Sequence, residues 1–304
     1  MLNQAPGGGL AMISPANTYV CLTEGGPGCA DDEPDKYYPA GSRNYVRVVA
    51  HDAYQGAALA EFMQAEGTTK LYILNDKEAY GLGVATNTRN AAEHLGIEVV
   101  GFEAWDPKAS NYEALMNKIK DSGADGVFLG GLIDENGAQV IKDKVKVLGD
   151  NEGVKLYMPD GFTTQQTIDE AGVPNTQGAY FSVAGVPTDE FTGAAADFIA
   201  EFEPTLGGDP VDPYAVYGAQ AAVVLLDAIA NSAPEYSRAD VIAQVFETKV
   251  TGGFLGDFEI NENGDPSLAS GAVVGFTIYK GEDELVPETV LSPQEEVVDA
   301  ARGT

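Results

Sequence analysis

KLYILNDKEAYGLGVA, residues 70–85, joins an unbroken apolar run to a polar turn and then to an amphipathic run. A strand buried on both faces of a sheet reads this way, because neither face meets water and alternation is lost. The turn that follows puts Tyr80, Gly81 and Gly83 at the entrance of a helix. Outward from this stretch the same grammar repeats. Residues 10–14, 45–49, 97–104, 126–131, 155–159 and 179–184 read as further strands, and 53–65, 81–95, 110–121, 136–148 and 163–171 as helices. Strand–helix–strand alternation predicts an α/β fold with a parallel sheet covered on both faces.

After residue 188 the pattern changes. Residues 188–203 and 213–231 read as long helices, the second with Tyr214, Tyr217, Ala221, Val224, Leu225 and Ala228 on one face. A third helix is expected over 238–247. An antiparallel pair, 253–261 with 270–280, is expected around the turn-rich ENGDPSLA. The tail from 290 reads as peripheral. A central α/β block flanked on both sides suits two lobes between which the chain crosses more than once.

The net charge is −30, from 17 Lys+Arg against 47 Asp+Glu. Nucleic acid and anionic membrane surfaces are poor partners for such a chain, since both are held by clustered cations. The carboxylates read as a solvated surface. Cys21 and Cys29 are the only cysteines, and His51 and His94 the only histidines, too few for a metal site of the usual kinds. A local disulfide across CLTEGGPGC is the first reading, which implies an oxidising compartment; two reduced thiols are the other. No run approaches the ~18 apolar residues that a membrane span needs. The opening MLNQAPGGGLAMISPAN lacks the pattern of a signal peptide.

Open α/β sheets bind ligands beyond the carboxyl ends of their strands. There the chain offers Ser14 and Thr18 in SPANT, Tyr80 in KEAYGLG, the loop GLIDENG, and Asp160 in DGFTT. Each has an ordinary reading, a hydroxyl-rich turn or a helix-capping aspartate. Together they supply hydroxyls and amides for a carboxylate, a carboxylate for an ammonium, and apolar groups between, as a zwitterion with a hydrophobic side chain requires. Enzymatic signals are weak. Neither histidine sits beside a nucleophile, GLGVAT (81–86) lacks the third glycine of a dinucleotide loop, and NENGD (261–265) lacks the spacing of a calcium loop and reads as a turn. No cofactor, metal or catalytic residue is expected.

In the order and spacing of its motifs the chain resembles the type I periplasmic binding proteins of ABC importers, in the leucine/isoleucine/valine-binding branch. The resemblance is carried by GLAMISPANTYVCLT (9–23), NYVRVVAHDAYQG (44–56), KLYILNDKEAYGLGVA (70–85) and ADGVFLGGLIDENGAQVIKD (124–143). LYMPDGF (156–162), YAVYGAQAAVVLLDAI (214–229) and GFLGDFEINENGD (253–265) continue it over nearly the whole chain.

The resemblance implies two Rossmann-like lobes joined by a multi-crossover hinge. Residues 1–66 plus 188–250 would form lobe 1, residues 67–187 plus 251–290 lobe 2, and 291–304 a tail. It also implies an extracytoplasmic subunit that binds an amino acid in the interlobe cleft and delivers it to a membrane permease. The alternative is a ligand-sensing regulatory domain for amino acids or amides.

Ser14, the backbone of Ala16, and Thr18 would hold the ligand's carboxylate, Tyr80 would close over it, and Asp160 would pair with its ammonium. Asp52 would cap a helix near the hinge. Tyr217 would line the cleft or, equally, stand in the core. Two departures bear on specificity. Leu132, followed by Asp134 and Glu135, stands where the family often has an aromatic, so a ligand larger or more polar than leucine is allowed. The insertion 23–44 reads as a surface loop, or as a disulfide-pinned flap at the cleft mouth. Family members also carry a segment before this start, with the signal sequence and the first βα units, so lobe 1 is expected to be N-terminally incomplete.

Overall fold

In a computed structural model the described residues are 9–208, 210–267 and 275–303. In chain order the elements are β1 (Met12–Ser14), β2 (Tyr45–Arg47), α1 (Asp52–Ala65), β3 (Lys70–Asn75), α2 (Ala79–His94), β4 (Glu98–Ala104), α3 (Glu113–Ser122) and β5 (Gly126–Gly130). They continue with α4 (Ala138–Leu148), β6 (Lys155–Met158), α5 (Gln165–Ala171), α6 (Val173–Thr176), β7 (Tyr180–Ala184), α7 (Ala194–Phe202), α8 (Tyr214–Asn231) and α9 (Arg238–Phe246). The last are β8 (Lys249–Gly253), β9 (Gly256–Ile260), β10 (Pro266–Ser267), β11 (Phe276–Gly281), β12 (Leu285–Leu291) and α10 (Glu295–Arg302). The chain forms two compact units. Unit 1 comprises the residues up to His51 with Ala184–Gly275, and unit 2 comprises Asp52–Val183 with the residues from Phe276 onward.

Unit 2 is built on a seven-stranded sheet in the order β12-β11-β7-β6-β5-β3-β4. Strands β3 to β7 pair in parallel, and β12 runs antiparallel to β11. The continuous apolar runs are the inner strands: Leu71–Leu74, Val127–Leu129 and Leu156–Met158 are buried throughout. Such runs need cover on both faces, which the crossover helices supply.

Three expectations are corrected here. The tail is not peripheral: α10 packs on α1 and α2, with Val297, Val298 and Ala301 buried and the Ala301 carbonyl accepting from Asn87 Nδ2 at 2.9 Å. Its amphipathic stripe provides the reason, since Val297, Val298 and Ala301 fall on one helical face. The strand pair also differs. Residues 256–260 pair with β8, whereas Phe276–Gly281 enters the large sheet next to β7 and β12; residues 270–274 of that expected strand lie outside the described residues. Phe276, Thr277 and Ile278 are buried, which a small two-faced hairpin could not provide. Finally, α1 and α10 belong to unit 2 and the β8–β9 hairpin to unit 1, so the units divide near 51 and 275 and not near 66 and 250.

In unit 1, β1 and β2 pair in parallel, with Ser14 opposite Arg47. Helix α8 is long and apolar enough to cross a bilayer by length and composition, yet Val216, Tyr217, Gln220, Ala221, Val224 and Ala228 are buried in the unit. Beside β2 lies a buried ion pair. Arg47, 0% exposed, donates from Nε to Asp265 Oδ1 at 2.6 Å, from Nη1 to the carbonyls of Asn17 and Tyr19 at 2.9 Å, and from Nη2 to Thr23 Oγ1 at 2.5 Å. A guanidinium carries five donors in a rigid fork, so one side chain fastens the whole 17–23 segment. Burial pushes the Asp265 carboxyl up, but the charges of Arg47 and His51 hold it below the usual range.

The insertion 23–44 folds around a second buried carboxylate. Cys21 and Cys29 are disulfide-bonded, with Cα atoms 5.5 Å apart. Glu33 lies close to both sulfurs, but sulfurs tied in a disulfide are not thiolate ligands for a metal. Glu33 instead accepts from Tyr19 Oη at 2.8 Å, Ala30 N at 2.7 Å and Tyr37 Oη at 2.6 Å, and pairs with Lys36 at 2.7 Å. Burial alone would raise its pKa, yet these hydrogen bonds outweigh it and hold the carboxyl at about 2.

Two outcomes are expected. Arg47→Ala leaves Asp265 buried without its cation and lowers stability by about 3–5 kcal/mol in urea unfolding; a loss below about 1 kcal/mol would contradict that role for the pair. The Glu33 contribution is complete above its unfolded pKa of 4.5 and disappears as pH falls toward about 2. Acid unfolding of Glu33→Gln, compared with the parent, therefore shows a shallower loss of melting temperature below pH 4.5.

Candidate functional site

At the carboxyl end of β3 the chain turns on Asp76, only 1% exposed. Its Oδ1 accepts from Glu78 N at 2.9 Å and its Oδ2 from Leu132 N at 3.1 Å, while its own N–H donates to the Gly130 carbonyl at 3.1 Å. The preceding Asn75 accepts from Lys77 N at 3.1 Å, supporting Lys77 in the left-handed region at φ 73°. One buried carboxylate thus ties the turn that begins α2 to the loop that follows β5. Burial raises its pKa to about 6 in spite of the N–H donors from Glu78 and Leu132, and the charges of Glu135 and Glu78 push the same way.

The glycines around Asp76 are needed for this close approach. A Cβ on Gly81 would lie 2.1 Å from Asp76 Oδ1 and 2.7 Å from the Gly130 carbonyl. A Cβ on Gly161 would lie 2.4 Å from the Gly131 carbonyl, 2.8 Å from Leu132 Cδ2 and 3.1 Å from Tyr80 Cε1. Gly161 therefore marks the point where Tyr80, Leu132 and Asp160 converge.

Tyr80, in the first turn of α2, donates from its hydroxyl to Asp160 Oδ1 at 2.5 Å and accepts from Gly161 N at 3.2 Å. Burial and then the negative charges of Asp160 and Asp52 raise its pKa well above the usual value, so the phenol stays protonated and can donate. Leu132 is 38% exposed in extended backbone and contributes apolar surface beside this pair. After Leu132 the chain makes an irregular turn in which Asn136 is left-handed at φ 62°, which delays α4 to Ala138 from the expected 136. Trp105, at the end of β4, donates from Nε1 to the Glu135 carbonyl at 2.8 Å, and a Cβ on Gly131 would lie 2.7 Å from its ring.

Of the residues expected at the site, the structure thus groups Tyr80, Leu132 and Asp160 in unit 2. In unit 1, Ser14 and Thr18 are buried around a turn that closes on itself. Ser14 Oγ accepts from Ala16 N at 3.3 Å and from Asn17 N at 2.9 Å. The N–H groups of Ala16 and Asn17 are therefore occupied within the turn, because the serine two or three residues back is a near acceptor. Tyr217 stands in the core of unit 1, 0% exposed, with its ring 5.5 Å from that of Tyr214. Its hydroxyl would be 2.6 Å from a Cβ on Gly185, and burial pushes its pKa up. Asp52 is buried at the first position of α1.

Asp76 and Trp105 were not singled out by the sequence. The signal for Asp76 was present, an acid directly after an unbroken apolar strand; Trp105 carried none beyond being the single tryptophan.

Substitution at Gly81 separates helix propensity from packing. In an open helix Gly→Ala gains about 1 kcal/mol. Here the added methyl meets Asp76 Oδ1, so Gly81→Ala is expected to lower stability by about 1–3 kcal/mol in chemical denaturation. A gain would show that the turn is not fixed by this contact.

Several known proteins resemble the chain. A Leu/Ile/Val-binding protein homologue of Brucella suis is 26% identical over 264 residues, which cover 86% of this chain and 66% of that protein. A leucine-, isoleucine-, valine-, threonine- and alanine-binding protein of Pseudomonas aeruginosa is 33% identical over 100 residues, 32% of this chain and 27% of that one. The chain thus spans just under two thirds of the length of the curated relatives that it matches most broadly. Among solved structures, a leucine-binding protein of Thermotoga maritima superposes with a TM-score of 0.75 at 20% identity, covering 93% of this chain and 73% of that one. A solute-binding protein of an ABC transporter from Rhodopseudomonas palustris, in complex with p-hydroxybenzoic acid, reaches 0.71 at 17% identity, covering 94% and 73%. These likenesses show the fold. The profile of the periplasmic binding protein family matches residues 17–272, and to that family the chain belongs.

Proposed function

We propose that this protein is the solute-capturing subunit of an ABC importer, acting outside the cytoplasm, and that it binds a small amino acid with an apolar side chain and passes it to a membrane permease without chemical turnover. The observation that supports this best is the Tyr80–Asp160 pair beside Gly161 at the carboxyl edge of the unit 2 sheet. A carboxylate held by a neutral phenol next to a glycine is suited to an α-ammonium group. The ammonium brings three donors and a full charge where the phenol brings one donor.

The half-exposed Leu132 gives apolar contact beside that position. In unit 1 the Ser14–Thr18 turn is the group proposed for the ligand's carboxylate, with the Ser14 oxygen oriented by the N–H groups of Ala16 and Asn17. The Brucella and Pseudomonas relatives are both named for leucine, isoleucine and valine, the second also for threonine and alanine, in keeping with this reading. The Rhodopseudomonas neighbour holds an aromatic acid that has no ammonium. Such a ligand brings no positive charge to pair with Asp160.

Binding is tested by calorimetry with leucine, isoleucine, valine and 4-hydroxybenzoate. The amino acids are expected to bind and the benzoate not to. Asp160→Ala is expected to weaken amino-acid binding by about 30-fold or more, as loss of a hydrogen-bonded charge partner covered by the ligand costs about 2–5 kcal/mol. Equal affinity in the parent and in Asp160→Ala would remove the assignment of the ammonium partner.

A further inference from the structure

Asp76 reaches two parts of the candidate site and belongs to neither. Its Oδ1 holds Glu78 N, two residues before Tyr80, and its Oδ2 holds the N–H of Leu132 itself. We propose that Asp76 is the positioning residue of this site: as a carboxylate it locks the turn bearing Tyr80 to the loop bearing Leu132 in the ligand-holding arrangement, and on protonation it lets one of them go. This rests on the function proposed above and adds a regulation of the same site, a capture step that weakens in acid.

The argument is geometric. Two N–H donors converge on the two oxygens of one carboxylate that has almost no access to water. A neutral carboxylic acid turns one of those oxygens into a donor, so one N–H faces a proton and loses its acceptor. A buried N–H without an acceptor costs about 1–3 kcal/mol, enough to shift a loop. There is no slack for the acid to move into. Positions where Gly81 and Gly131 would carry a Cβ lie 2.1 Å from Oδ1 and 2.5 Å from Oδ2.

The charged groups acting most on Asp76 are acidic, Glu78 on the turn and Glu135 on the loop after β5, while Lys77, next in the chain, is exposed. Gly81 on α2, Gly130 at the end of β5, Gly131 after it and Trp105 just after β4 also lie around the carboxylate and do not titrate. The carboxyl therefore takes up its proton near pH 6, not near its ordinary 3.8. Linkage follows. A ligand that prefers the locked arrangement prefers the ionised form, so binding releases a proton and affinity falls as pH falls through that value.

Trp105 makes the coupling visible without any ligand. It is the single tryptophan, is buried, and holds the Glu135 carbonyl in the loop that Asp76 anchors through Leu132. The experiment compares the parent with Asp76→Asn, which keeps the size of the side chain and cannot ionise. In the ligand-free parent, Trp105 emission is expected to titrate with a midpoint near pH 6, and in Asp76→Asn it is expected to stay flat through that range. By calorimetry, leucine binding to the parent is expected to weaken about ten-fold from about pH 7.5 to about pH 5, whereas Asp76→Asn binds weakly at both.

At neutral pH Asp76→Asn loses the charge that burial penalises but also the acceptor of one buried N–H, so its melting temperature is measured to show that the variant is folded. An identical emission titration in both proteins, or parent-like affinity and pH profile in Asp76→Asn, overturns the proposal. If leucine binds neither protein at any pH, the amino-acid reading fails, and the ligand-free emission still decides whether Asp76 controls the loop.

Discussion

A carboxylate shut away from water must find donors on both oxygens, and Asp76 finds them in two different segments of backbone. Much of the carboxyl edge of unit 2 follows from that requirement. Gly81 lets the first turn of α2 come within reach of the carboxylate, Gly131 lets the loop after β5 do the same, and Gly130 leaves room for α2 at Gly81 and Ala85. Once both segments are fixed, Tyr80 points at Asp160, and Gly161 leaves room for Leu132 beside them. The site is thus a consequence of one buried charge and of the glycines that tolerate it.

Unit 1 solves a similar problem with the opposite sign. Arg47 brings a buried cation, and Asp265, Thr23 and the carbonyls of Asn17 and Tyr19 take up its donors. Such a pair is weak evidence for net stability, because desolvation takes back much of the Coulomb gain. Its effect is on shape. It holds the chain on both sides of Thr18 and Cys21, so that the Ser14–Thr18 turn and the disulfide-bearing insertion leave β1 in one arrangement. Glu33 repeats the device inside the insertion, where four donors converge on one carboxylate. Among the described acidic residues, the buried Glu33, Asp76 and Asp143 each accept from backbone N–H groups.

The strands of unit 2 were legible because burial on both faces leaves unbroken apolar runs, as in KLYILN and GVFLG. Helix α8 was legible through its one-sided apolar stripe. The tail was misread because α10 is short and polar on average, and its three buried residues count only once α1 and α2 are there to receive them. The strand at 276–281 was assigned to the wrong partner for a related reason. A sequence shows that a strand is apolar, whereas its neighbour depends on which sheet edge is open, and β7 offered one. Tyr80, Leu132 and Asp160 were each visible as residues beyond strand ends, but nothing in their spacing of tens of residues said that they meet around Gly161.

The sequence by itself determined the alternation of strand and helix, the family, the spacing that lets Cys21 and Cys29 reach one another, and the residue types that follow the strands. These depend on periodicity and on short-range geometry, both of which act along the chain. Only the tertiary structure decided which of those residues converge, that Tyr217 is core, that the amides of Ala16 and Asn17 are already occupied by Ser14, and that Asp76 ties together the two segments that carry Tyr80 and Leu132. Those facts depend on burial and on donors from distant segments, and neither exists until the chain has folded.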